Sequence, residues 1–168
     1  MAISCNDIRD WMIICELLGG CGSQGGTGDN LIVDGGMLWV YDEVRGKWLS
    51  SSRITAISGR KGRVKNGYLR LIDGQTSNLT GYRMTRAGVL TSLSAQTRTD
   101  ETWILRVRNN GTDVTSLNVV AASGAHNRSL NINVEEGDLI EFYADTTAFL
   151  GIRDPFVWAE IAWRNDSL

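Results

Sequence analysis

The closing stretch of the chain, residues 130–164, constrains the fold most. Leu130, Ile132 and Val134 alternate with Asn131, Asn133 and Glu135, the period-two pattern of a strand with one face buried and the other in water. Glu136-Gly137-Asp138 supplies a tight turn, extended character resumes over 139–144, and an irregular loop spans 145–154. Pro155 then precedes residues 156–163, whose one polar member is Glu160. A run apolar on both faces is expected to be covered from both sides, by its own core and by something else.

The rest of the chain reads the same way. Its 168 residues suffice for one good core. Nineteen glycines against one proline, with six tryptophans, favour many short strands joined by glycine turns. Strands are expected over 37–41, 47–58, 68–72, 82–99, 102–108 and 115–122. In one of them Trp103, Leu105 and Val107 point one way and Arg106 and Arg108 the other. Asn109-Asn110-Gly111 is a hairpin-turn signal. The expected fold is mainly β, an antiparallel jelly-roll-like β-sandwich over residues 37–168, with a short N-terminal helix and a glycine-rich linker before it.

Residues 4–18 carry that helix, because Ser4 and Asp7 read as a capping box and Gly19-Gly20 ends the pattern. Ile8, Trp11, Met12 and Cys15 follow helical spacing, while Ile13, Ile14 and Leu17 load a second flank. A lone helix of this length is marginal in water. Residues 1–18 are therefore expected to anchor through Ile8, Trp11, Met12, Ile14 and Leu17, against the body, a copy or a partner. Residues 19–36 hold eight glycines in eighteen positions and read as a linker or a loop laid over a surface. The dinucleotide fingerprint inside it, residues 20–25, follows a helix instead of a strand and opens nothing, so it carries no nucleotide reading.

Little in the sequence points to catalysis. His126 is the single histidine and falls in a polar stretch. The cysteines, Cys5, Cys15 and Cys21, lack metal-ligand spacing, so no metal and no cofactor is expected. Reduced thiols are the ordinary state in a cytoplasm. If the helix packs against copies of itself, intermolecular disulfides through these cysteines become open to it. Glu160 either faces a partner's arginine or points outward at a sheet edge. The loop 59–67, with Arg60, Lys61, Arg63 and Lys65, is either a contact for phosphate, acidic glycan or an acidic protein face, or a solvated turn. At a net charge of −2 the solvated turn is the simpler reading, and the charge argues against nucleic-acid binding. No stretch reaches the ~20 apolar residues of a membrane span, and no secretion signal opens the chain.

Residues 38–50, 81–97 and 132–145 together resemble the carboxyl-terminal β-sandwich modules of tailed-bacteriophage structural proteins, of the head-fibre, capsid-decoration and collar- or tail-fibre kind. The order of strand, Gly-Asp turn and closing apolar strand is also similar to the trimeric jelly rolls of the complement C1q and tumour-necrosis-factor type. The resemblance covers residues 38–164. It implies a non-enzymatic homotrimer in the virion, assembled in the host cytoplasm, docked through its amino-terminal segment on other virion proteins of capsid, neck or tail. Phe156, Trp158, Ile161 and Trp163 are the expected trimer interface. The missing heptads and collagen repeats favour a compact knob over a long shaft. Two rival readings stay open. One is a receptor- or host-glycan-binding module that exposes Trp39, Tyr41, Trp48 and the basic loop together. The other is a carbohydrate-active enzyme using Glu135, Glu136 or Asp138.

Overall fold

The computed structural model describes residues 30–70, 79–120 and 122–168. The expected helix over 4–18, with Ile8, Trp11, Met12, Ile14 and Leu17, lies outside the described residues, as do Cys5, Cys15 and Cys21. In chain order the strands are β1 (Leu31–Asp34), β2 (Met37–Asp42), β3 (Lys47–Gly59), β4 (Arg63–Val64), β5 (Asn66–Tyr68), β6 (Tyr82–Arg83) and β7 (Gly88–Gln96). They continue with β8 (Trp103–Asn109), β9 (Thr112–Val119), β10 (Ala125–Asn127), β11 (Ile132–Val134), β12 (Leu139–Asp145), β13 (Ile152–Arg153) and β14 (Phe156–Asn165). The protein is mainly β, and every strand pairing is antiparallel.

A seven-stranded sheet runs β1-β2-β3-β14-β7-β10, with β11 also on β7. A five-stranded sheet runs β5-β12-β8-β9, with β6 also on β12. The two sheets pool their inward side chains into one core. Leu90, Leu93, Val157, Ala159 and Ile161 come from the larger sheet, and Trp103, Leu105, Val107, Ile140, Phe142 and Ala144 from the smaller. Strict alternation along β8 and β14 makes this possible, since period two sends every second residue to the same side. β4 and β13 close one end as a short separate pair.

Several details differ from the sequence expectation. Leu31–Asp34, inside the stretch read as linker, forms β1 and pairs with β2, and Gly35 and Gly36, both at positive φ, make the turn. Residues 31–36 therefore belong to the body. The long strand expected over 82–99 divides: β6 pairs with β12 and β7 with β14, so the two halves serve different sheets. His126, expected in a loop, sits on β10 opposite Ser94. The turn at Asn110 and Gly111 is as expected, with both residues at positive φ between the paired Asn109 and Thr112.

β10 and β11 lie along one edge of β7, one against residues 93–95 and the other against 88–90. Together they form an edge strand interrupted at residues 128–131. Arg45, from the β2–β3 turn, fills the interruption. Its Nε donates to the Leu130 carbonyl at 2.7 Å, and its Nη2 to the carbonyls of Arg128 at 3.0 Å and Thr91 at 3.1 Å. Its Nη1 pairs with Asp42 at 2.5 Å. One side chain thus satisfies carbonyls that a continuous ladder would have used.

Candidate functional site

Cross-strand partners share a face, so the register maps the outer side of the seven-stranded sheet row by row. Across its middle, Thr55, Glu160 and Ser92 align, and beside them Ile57, Trp158, Ser94 and His126. At the far end Gly59, Phe156 and Gln96 align. Phe156 is 39% exposed and Trp158 47%, on a strand central to its sheet. At the other end of the same face, Leu31 pairs with Val40 and Val33 with Leu38, and all four are exposed. Leu49, Val89 and Ala162 form a small buried cluster between these ends. The outer face therefore carries two exposed apolar patches around a polar middle, more than the scattered single residues that any surface shows.

The expected interface residues divide between the two sides of β14. Phe156 and Trp158 face outward. Ile161 is 1% exposed inside the protein's own core, and Trp163 packs against that core, so neither lies on the outer face. Alternation alone forces this split, because odd-numbered residues from 157 to 163 face inward. Glu160 is half-buried on the outer face at the sheet centre, not at an edge, and its carboxylate has no ion pair among the described residues.

No known family, curated protein or solved structure matches this chain. The site must therefore be read from its own geometry.

The residues behind the rival readings do not converge. Trp39 is buried, with Nε1 donating to the Asp34 carbonyl, and Tyr41 stacks edge-on against Trp48 at 5.3 Å. These aromatics lie by the start of β3, while the basic loop follows its end, up to roughly 35 Å away along an extended strand. Among the acids, Glu135 pairs with Arg164 at 2.8 Å. Asp138 accepts from the Glu135 backbone N–H and from the side-chain amides of Asn109 and Asn110. Burial works against its charge, but these donors outweigh it and hold its pKa below the usual carboxylate value. Both acids are engaged in fixing the turn.

A second feature was not visible in the sequence. Arg60 and Lys61 of the basic loop meet Arg98 and Arg153 around an open cleft of about 470 Å³, with Pro155 and Phe156 also lining it. One carboxylate, Asp154, sits among the four cations. Its Oδ1 accepts from the Gly62 N–H at 2.6 Å, leaving Oδ2 at 3.8 Å from Arg98 and 3.7 Å from Arg153. Backbone bonds knit the walls: Arg60 N to the Pro155 carbonyl, Arg98 N to the Arg153 carbonyl and Asp154 N to the Gly62 carbonyl. Residues 60 and 98 come from two separate connections and residue 153 from β13, and only long-range strand pairing brings them together.

The outer face of the smaller sheet is polar, and its arginines are paired within the chain. Arg106 bridges Asp113 and Asp145, and Arg108 binds Asp113 while lying over the Tyr143 ring at 4.1 Å. Among the described residues no three histidines, cysteines or acids gather as a metal-holding group, and no helix is long and apolar enough to cross a membrane.

Proposed function

We propose that this protein is a structural component of a tailed-bacteriophage virion, a decoration or short-fibre protein. In this reading its body is a jelly-roll-like β-sandwich that associates as a homotrimer through the outer face of the larger sheet, and its amino-terminal segment docks on other virion proteins. The observation that carries the assembly part is the exposure of Phe156 and Trp158, beside Ile57, on the central strand of a sheet. A central strand has no free edge to offer, so its outer side chains can be covered only face-on. Aromatic residues on such a face are favoured at protein interfaces. The virion part rests on the resemblance of residues 38–164 and on the pairing of a strongly apolar amino-terminal segment with a body rich in short strands.

Trp158→Glu tests the assembly. It places a charge on the outer face without entering the core, so the variant is expected to stay folded and to run as a monomer in native mass measurement while the parent runs as a trimer. A parent chain that is monomeric at micromolar concentration overturns the reading. Repeating the measurement without reductant shows whether the cysteines add covalent links.

A further inference from the structure

We propose that the cleft bounded by Arg60, Lys61, Arg98 and Arg153 binds an acidic polysaccharide, gripping sugar carboxylates or sulfates. The inference stands apart from the virion reading and needs no particular oligomer. Three observations carry it.

The first is the charge distribution. The chain as a whole is net negative, yet four cations line this one cleft with a single carboxylate among them. That carboxylate is already engaged by the Gly62 N–H, and its contacts to Arg98 and Arg153 are longer than hydrogen bonds. Arg98 and Arg153 keep 71% and 53% of their side chains in solvent, and Arg60 and Lys61 have no ion pair among the described residues. Arg98 and Arg153 thus share one loosely held carboxylate, and most of their donors remain open to a ligand. By contrast, Arg45, Arg106, Arg108 and Arg164 each hold an acid at 2.8 Å or less.

The second is preorganisation. Like charges repel, so gathering four of them costs stability, and the bonds from the Arg60, Arg98 and Asp154 N–H groups to facing carbonyls offset part of that cost while fixing the segments that carry them. Thr97 Oγ1 adds a further bond to the Arg153 carbonyl at 2.7 Å. Asp154 itself adopts a positive φ of 51°, a conformation that Asp tolerates better than most non-glycine residues, and the pairing of β13 with β4 sets Arg153 beside the basic loop. The backbone positions from which the four cations extend are therefore set before a ligand arrives, while their side chains stay free to close on it.

The third is the shape. The cleft is open to solvent instead of a closed cavity, with Phe156 among its lining residues. An arginine fork matches a carboxylate or sulfate in two parallel hydrogen bonds, and an aromatic ring offers the apolar face of a sugar something to lie against.

The experiment uses the full chain and immobilised probes of stated chemistry: heparin for sulfate, polysialic acid for carboxylate, dextran as the neutral control and a single-stranded oligonucleotide for phosphate. Retention on heparin or polysialic acid, absent on dextran, is expected, and which of the two binds identifies the anion. The double variant Lys61→Ser/Arg98→Ser removes two exposed side chains whose bonds do not hold the fold, and it should weaken retention roughly tenfold or more. Arg128→Ser, an exposed cation on the β10–β11 edge, should leave it unchanged. Three results overturn the proposal: no retention on either acidic polysaccharide, equal loss in the Arg128 variant, or oligonucleotide binding as tight as the polysaccharide.

Discussion

One half-buried and one buried polar side chain, Arg45 and Glu141, make opposite demands on the fold, and both can be tested singly. Arg45 caps three carbonyls and an acid at the break in the edge strand, so Arg45→Ala leaves four acceptors without their donor and is expected to cost about 2–4 kcal/mol in urea unfolding. Lysine is no substitute, since one ammonium cannot reproduce a planar fork. Burial opposes the charge on Asp42, but its bonds from Arg45 prevail and lower its pKa. Its contribution is therefore present above the unfolded carboxylate pKa and lost as pH falls through the folded one. The deficit of the alanine variant should shrink accordingly in acid. Glu141 behaves in reverse. It is buried, one carboxylate oxygen has no partner, and the other accepts from the Gly111 N–H at 3.1 Å. Burial raises its pKa against the smaller opposing pull of that bond and of Arg108. Stability is then lost as pH rises from the unfolded pKa through the raised folded one. Glu141→Gln keeps the acceptor for Gly111 and should be more stable than the parent at neutral pH, with the advantage vanishing below the carboxylate range. A difference that stays constant with pH would rule out ionisation as the cause.

Among the elements, β14 shows what alternation can and cannot tell. The sequence marked it as apolar on both faces, which holds, and as one interface, which its geometry divides. Ile161→Ala removes a fully buried side chain and should cost about 2–5 kcal/mol. Trp158→Ala, one turn of the pleat away on the outer side, should change the stability of the isolated chain by no more than about 0.5 kcal/mol. Thermal unfolding of both variants at low concentration separates the two faces, and a large loss at Trp158 under those conditions would place it in the core instead. β8 and the Asn110-Gly111 turn were legible because alternation and turn chemistry are local. β1 was hidden because a strand of four residues inside a glycine-rich stretch gives too short a pattern. The division of 82–99 into β6 and β7 was hidden for a different reason: period two reports which face a residue takes, not which sheet its strand joins. Gly88 supplies part of that answer, since a Cβ there would come within 2.7 Å of the Ala162 carbonyl.

At the scale of the whole molecule, charge and apolar surface are sorted in ways that no local pattern encodes. The cations of the cleft are 38 and 55 residues apart between positions 60, 98 and 153, and the apolar rows on the outer face combine four strands. Both depend on long-range pairing, which is why the basic loop looked like an ordinary solvated turn in the sequence. The outer face also sets the expected order of assembly. If it is the trimer contact, the body carries its own oligomerisation and residues 1–20 serve only docking. Three docking segments held on one trimer then act at high effective concentration, so each can be weak alone. Deleting residues 1–20 should leave native mass and thermal unfolding of the trimer unchanged while the protein disappears from purified particles. Trp158→Glu should also reduce incorporation, by a separate route, because it leaves each docking segment intact but alone. Recovery of the truncated chain on particles at parental levels would move docking from the amino terminus to the body, with the exposed Leu31, Val33, Leu38 and Val40 as the surface to substitute next.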